Sequence, residues 1–311
     1  MKIGKRSTVM ITGSTGFAGA SVIEKFVKEG HKVIAVLRIP DVQDLKLKNS
    51  ILEQNVNRLR GIGNHSENIR IFTANINDGS KIKSILLENN VDCIIHLAGQ
   101  SSVVEAEKNK KATYRVNANL TEKLAKISVD VGNKMNKHIE FIYISSIRVV
   151  RCLETLDLKR IVDVNAVYDA SKILAEKKLR SIANLNATII YSPGLFGSGE
   201  AHTLVATWVK NGLNRKNIII LGDPSTKIPL CSLGAFVEQL HITMLDNIGK
   251  SGIKKDLVVI EYNYSLYQIA NTICDCLDRI AVDNVGGGNV KYKKVINSHR
   301  ELVSYERSRE F

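Results

Sequence analysis

Tyr168 and Lys172 stand four residues apart in Tyr168-Asp169-Ala170-Ser171-Lys172, where the apolar spacing predicts a helix from about Val167 to Asn184. A spacing of four puts the phenol and the ammonium on one helix face. A phenol with an ordinary pKa of about 10 is a poor general base at neutral pH, and a neighbouring ammonium favours the phenolate. Such a pair arises often on protein surfaces. It gains weight here from the preceding apolar run Phe141-Ile142-Tyr143-Ile144, a predicted strand that ends in Ser145-Ser146. A serine hydroxyl at a strand end can donate to a ketone or accept from an alcohol, so the three groups together suit proton movement at a carbinol or ketone oxygen.

A second constellation lies near the start of the chain, in Thr12-Gly13-Ser14-Thr15-Gly16-Phe17-Ala18-Gly19, between an apolar run (Thr8 to Thr12) and an amphipathic one (Phe17 to Glu29). Glycines at spacing three and three between strand and helix suit a dinucleotide. Gly13 permits the tight turn, Gly16 lets a pyrophosphate approach the backbone, and Gly19 lets helix and strand pack, while the helix N-terminus offers its N–H groups to the phosphates. Thr15 and Phe17 complete this cofactor loop. At the end of the next predicted strand stands Arg38, where a base would meet a 2′-phosphate and an acid a ribose hydroxyl. Arg38 favours NADP(H); NAD(H) is the alternative, with Asp41 or Asp44 on the ribose. Lys172 can also donate to the nicotinamide ribose.

These groups need a scaffold that brings strand ends together. Predicted strands at His31 to Leu37, Ile69 to Thr73, Asp92 to Leu97, Ile139 to Ile144 and Ala187 to Tyr191 alternate with predicted helices, including one from about Asp41 to Arg60 and one long helix from Ala106 to Asn133. That alternation implies an α/β fold with a doubly wound parallel sheet covered by helices on both faces. Beyond Pro193 the pattern loosens into helices at about Leu204 to Gly212, Gly234 to Asp246 and Leu266 to Leu277, with strands at Ile218 to Leu221 and Asp256 to Ile260. We therefore expect a cofactor domain over residues 1–192 and a smaller C-terminal substrate lobe over 193–311, with some segments of the latter free to return to the sheet. The charged tail, Tyr292 to Phe311, is expected to be partly disordered.

Composition narrows the classes. The 311 residues are 44% hydrophobic and 24% charged, as in an ordinary globular protein, with a formal net charge of +13. The basic residues are spread over every predicted helix with no interleaved aromatic tract, so an anionic small molecule is preferred to nucleic acid as partner. No apolar run approaches the ~20 residues of a membrane span, and no signal-peptide core precedes the first strand, so no membrane association and a cytoplasmic location are expected. The five cysteines show no zinc or disulfide spacing and read as reduced thiols; Cys274 and Cys276, two apart on a helix, point to different faces. No metal site is expected.

Taken together, the chain resembles the extended short-chain dehydrogenase/reductase family, in particular its nucleotide-sugar epimerase, dehydratase and ketoreductase branch, and hence a Rossmann-type fold. Thr12 to Gly19 matches TGxxGxxG, Asp92-Cys93-Ile94-Ile95-His96-Leu97-Ala98-Gly99 matches a strand ending HLA(A/G), and Tyr168 to Lys172 matches YxxxK. The resemblance implies Ser146 as catalytic serine, Tyr168 as acid/base, Lys172 as its partner and Asn117 as the helix asparagine that supports the lysine. It places Asn75 and Ile76 beside adenine, Leu97, Ala98 and Gly99 along the cofactor, and Pro193 near the carboxamide; Ser101 and Lys227 are the candidate substrate contacts. A homodimer is also expected. The chain departs from the pattern at Val150-Arg151, Ser192 and Lys227 to Gly234, and Ile147-Arg148 stands where a dehydratase carries Asp-Glu. A nucleotide-sugar ketoreductase using NADPH is the first expectation, an epimerase retaining NAD⁺ the second, and a non-catalytic NADP-sensing or scaffold protein the alternative of another class.

Overall fold

The computed structural model describes residues 6–39, 43–60, 66–150, 166–199, 203–214, 216–252, 254–284, 290–297 and 300–307. Within them the chain forms two compact units, one of residues up to Ser192 together with Leu233–Val259, the other of Pro193–Ser232 together with residues from Ile260 on.

The first unit is built on apolar runs too short for helices and bounded by turns. Strands β1 (Thr8–Thr12), β2 (Lys32–Leu37), β3 (Ile69–Thr73), β4 (Cys93–His96), β5 (Glu140–Ser146), β6 (Asn186–Ser192) and β10 (Lys254–Val258) make one sheet in the order β10-β6-β5-β4-β1-β2-β3, every neighbouring pair parallel. Val9, Met10, Ile11, Ile94, Ile95, Phe141 and Ile142 are fully buried, as expected of central strands covered on both faces. Helices α1 (Phe17–Lys28), α2 (Leu45–Arg60), α3 (Gly79–Glu88), α4 (Val103–Lys108), α5 (Lys110–Tyr114), α6 (Leu120–Lys134), α7 (Val167–Ser181) and α9 (Leu233–Asn247) complete the unit. The order runs outward in both directions from β1 and β4, and in such sheets ligands meet the carboxyl ends of the strands at that switch point.

The single long helix expected from Ala106 to Asn133 is instead three pieces. Asn109 leaves the helical region (φ −125°, ψ 54°) between α4 and α5, and a π-helical turn, Arg115–Asn119, joins α5 to α6. The apolar period runs across both breaks, which is why they are invisible in the pattern. The wide turn brings Asn117 and Thr121 to the same buried side, 1% and 0% exposed. Helix α2 begins at Leu45, four residues later than its pattern predicts, because the Asp44 carboxylate accepts the N–H groups of Lys46 and Leu47 (2.8 and 3.2 Å) and caps it.

In the second unit, β7 (Gly194–Phe196), β9 (Lys227–Ser232) and β11 (Tyr262–Ser265) form a small sheet, with β9 central, parallel to β7 and antiparallel to β11. Its strands escape a sequence reading because β7 has three residues and β9 carries Pro229, a residue rarely central in a sheet. Trp208 of α8 (Leu204–Leu213), Ile218 and Ile220 of β8 (Ile218–Ile220), and Ile269, Ile273 and Leu277 of α10 (Leu266–Asn284) share its core with Leu230. The tail, expected to be partly disordered, forms a hairpin of β12 (Val290–Asn297) and β13 (Arg300–Arg307) that pairs with β8. Cys93, Cys231 and Cys274 are buried free thiols and Cys276 is exposed, so the last two do face opposite ways; Cys152 lies outside the described residues.

Candidate active site

The glycine turn follows β1 directly. Gly13 sits at φ +73°, a left-handed conformation, and a Cβ there would lie 2.8 Å from the Ala98 nitrogen. A Cβ on Gly19 would approach the Gly13 carbonyl oxygen to 2.2 Å, so helix α1 can close on the turn only without a side chain at this position. Gly16, exposed at the N-cap position of α1, has no side chain to cap the helix, and Thr15 and Phe17 flank it half-buried. A bare helix N-terminus reached over a glycine turn fits the diphosphate of a dinucleotide.

Around it lie the other strand ends. Arg38 is exposed one residue past β2. Asn75 and Ile76 follow β3 on the neighbouring strand, with Asn75 Oδ1 accepting the Asn77 N–H at 2.9 Å. Asp44, the alternative ribose acceptor, is engaged as a helix cap, and Asp41 lies outside the described residues. Leu97, Ala98 and Gly99 continue β4. A side chain at Gly99 would strike Asn117 Oδ1 at 2.9 Å. Asn117 holds this loop by both ends of its amide: Oδ1 accepts the Gln100 N–H (2.7 Å) and Nδ2 donates to the Gln100 carbonyl (3.1 Å) and to Ser171 Oγ (3.0 Å). Ser101 is exposed, one residue before Ser102, the cap of α4.

The centre is the pair expected from spacing. Ser146 ends β5, Tyr168 and Lys172 lie in the first two turns of α7, and the Ser146 side chain stands close enough to the Tyr168 phenol to draw its pKa down. Each of the three residues is 8% exposed. Glu107 of α4 accepts the Val167 N–H at 2.7 Å, which anchors the start of α7, and Tyr168 packs on Ala106, Val103 and Tyr114. One expectation needs correction. Tyr168 is held above its ordinary pKa, chiefly by burial and further by Asp169, while the Ser146 side chain and Arg148 pull it down. Lys172 is not among the groups that set this shift; its Nζ donates to the Ile144 carbonyl at 2.8 Å. Nor does Asn117 hydrogen-bond the lysine: it reaches α7 through Ser171, whose hydroxyl donates to the Tyr168 carbonyl at 2.7 Å.

Behind this centre is a buried polar layer. Burial lowers the Lys172 pKa to about 8, against a raising influence from Glu176 one turn further on. Glu176 accepts from Ser145 Oγ at 2.5 Å and from the Tyr191 hydroxyl at 2.9 Å, and burial raises its own pKa. Lys172 Nζ also lies 4.9 Å from the centroid of the Tyr143 ring, which stacks on His96. Thr121 Oγ1 donates to the Asn117 carbonyl at 2.8 Å, so the 2.9 Å contact from His96 Nε2 is an N–H donation to Thr121 and Nδ1 accepts from Thr12 Oγ1 at 2.7 Å. That pattern requires a neutral imidazole, and burial lowers the His96 pKa to about 3. Glu176 was missed although its spacing of four from Lys172 could have shown it; Arg148 and Asp169 carry no spacing signal and were given no role, and Ser145 was read only with Ser146 as the strand end. Pro193 and Lys227, the latter the exposed first residue of β9, belong to the second unit.

Residues 9–259 match the model of the NAD dependent epimerase/dehydratase family. An uncharacterized membrane protein of Methanocaldococcus jannaschii is 28% identical over 181 residues, 58% of this chain and 44% of that protein. UDP-glucose 4-epimerase of Neisseria meningitidis serogroup B is 26% identical over 128 residues, 39% of this chain and 34% of the enzyme. The chain thus spans less than half the length of these curated relatives. The structure of UDP-glucuronic acid 4-epimerase from Bacillus cereus, in complex with UDP-glucuronic acid and NAD, superposes with a TM-score of 0.67 at 17% identity, covering 86% of this chain and 82% of that one. With the glycine turn, the strand end after His96 and the Tyr168–Lys172 helix in the places this architecture requires, the chain belongs to the NAD dependent epimerase/dehydratase family.

Proposed function

We propose that the protein is an NAD(P)-dependent enzyme that moves hydride at a sugar carbinol or ketone carbon of a nucleotide sugar, and that it is an epimerase. The observation that carries the proposal is the placement of Ser146 at the end of β5 with Tyr168 and Lys172 at the start of α7, all three nearly buried. Bound at the glycine turn, a nicotinamide nucleotide supplies the hydride acceptor and donor. Tyr168 Oη exchanges the proton of the reacting sugar hydroxyl, Ser146 Oγ steadies the same oxygen, and the Lys172 ammonium donates to ribose hydroxyls. Ser101 is the substrate contact of this reading within the first unit. The ketoreductase, first in the expectations above, yields to the epimerase because the relatives named with an activity are 4-epimerases. Exposed Arg38 favours the second reading, a reductase using NADP(H).

Mass spectrometry of the natively purified protein separates them. The epimerase reading predicts NAD⁺ released on denaturation and no gain in NAD⁺ retention in Arg38→Asp. Absence of bound nucleotide, uptake of NADPH, and a switch of preference toward NADH in Arg38→Asp would overturn it in favour of the reductase.

A further inference from the structure

Two residues outside the sequence expectations link the two hydroxyls of the reaction centre from behind. Arg148 follows Ser146 by two and donates its own backbone N–H to Ser146 Oγ at 3.3 Å. Asp169 follows Tyr168 directly. Arg148 Nε and one terminal nitrogen donate to the two oxygens of Asp169, both at 2.9 Å, a bidentate pair. Asp169 is 1% exposed, whereas the Arg148 side chain is 42% exposed, so a fully buried carboxylate is compensated by a cation at the mouth of the site. Such a pair is costly to leave half made, and its two ends flank the Ser146–Tyr168 contact.

We propose that the Arg148–Asp169 ion pair is a positioning pair for the Ser146–Tyr168 contact: it ties the turn after Ser146 to the helix turn that carries Tyr168, and it sets one charge of each sign near the phenol. The proposal rests on the reading of Tyr168 as the acid/base group. Around Tyr168, β5 contributes Ser146 and the buried Tyr143, the turn after β5 contributes Arg148, α7 contributes Asp169 and Lys172, and α4 and α5 contribute the apolar Val103, Ala106 and Tyr114, with Glu107 on the backbone of Val167. Of these, Arg148 lowers the Tyr168 pKa and Asp169 raises it. Removing one end of the pair must therefore move the phenol one way and removing the other end must move it the opposite way, a signature that general loosening of the turn does not produce.

The test places 3,5-difluorotyrosine, whose phenol ionises near neutrality, at position 168 of the full chain and follows its ¹⁹F resonance with pH. Arg148→Gln should raise the apparent pKa and Asp169→Asn lower it, each by about half a unit or more, while Arg148→Lys stays near the parent. Thermal melts establish that each variant folds; if Arg148→Gln does not melt cooperatively, the comparison of Arg148→Lys with Asp169→Asn decides. Shifts in the same direction, or no shift in Asp169→Asn, would overturn the proposal. The titration needs no turnover, so its failure is separate from a failure of the enzymatic reading, which would appear as unchanged activity in Tyr168→Phe.

Discussion

At the scale of single residues, the site is a layered arrangement of buried polar groups, with Ser145, Glu176 and Tyr191 joined behind Lys172. Tyr168 is the reacting group of the proposed function, Lys172 lies one turn on, and Glu176 one turn beyond, so that two spacings of four place a phenol, an ammonium and a carboxylate in a row along α7. Burial lowers the Lys172 pKa, and Glu176 opposes that. Glu176→Gln should therefore let the lysine pKa fall further below about 8, moving the alkaline limb of the kcat profile to lower pH by roughly half to one unit, with KM for the nucleotide nearly constant. An unmoved alkaline limb would show that Lys172 keeps its proton without the carboxylate. Tyr168 itself is held above its ordinary pKa, chiefly by burial, so taking the proton of a sugar hydroxyl, the first step of an epimerase that holds NAD⁺, has to overcome that burial.

At the scale of elements, the first turn of the fold is decided by contact distance. The Gly19→Ala change would bring a Cβ to 2.2 Å from the Gly13 carbonyl and 2.8 Å from the Ser14 carbonyl carbon, all backbone atoms. It should destabilise the protein by roughly 2–3 kcal/mol and weaken nucleotide binding, seen as a lower melting temperature with and without NAD⁺; a melting curve superimposable on the parent would refute the close packing. Helix α9 is held against the turn between α1 and β2 by a buried contact. The Ser7 N–H donates to His31 Nδ1 at 3.3 Å, so His31 carries its proton on Nε2 and donates it to His241 Nε2 at 2.9 Å. Burial lowers both pKa values, that of His31 to about 4. A histidine depressed in the folded state binds protons more readily once unfolded, so this contribution to stability is present above about pH 6.5 and is lost as pH falls toward 4. The melting temperature should decline over that window, and His241→Gln, which keeps an acceptor for His31, should flatten the decline; an equal slope in both proteins would place the acid sensitivity elsewhere.

At the scale of the whole molecule, the architecture was readable wherever burial follows local period. Every strand of the first unit down to β6 and most helices between them follow from apolar runs and alternation, the glycine turn, Tyr168 and Lys172 follow from residue type at fixed spacing, and Ser146 follows from its place at the end of a predicted strand. What escaped depends on contacts between distant segments. The π-helical turn that delivers Asn117 costs one extra residue within an unbroken apolar period, the β9 strand contains Pro229, and the Arg148–Asp169 pair joins residues 21 apart. Lys172, expected to act on the phenol, also binds the Ile144 carbonyl, a partner supplied by the path of β5 and unreadable from α7 alone.

The claim that joins these scales is that Tyr168 and Ser146 serve reversible hydride transfer on a nucleotide sugar with retained cofactor. The direct test is ¹H NMR of UDP-glucose, UDP-glucuronic acid and UDP-N-acetylglucosamine, each incubated with the purified protein without added nucleotide. The account predicts that the anomeric signal of a 4-epimer grows in with at least one of them, and that Tyr168→Phe slows it by roughly 10²–10⁴-fold while its bound NAD⁺ is retained. Unchanged spectra with all three sugars in a protein that holds NAD⁺, or equal rates in the wild type and Tyr168→Phe, would contradict it.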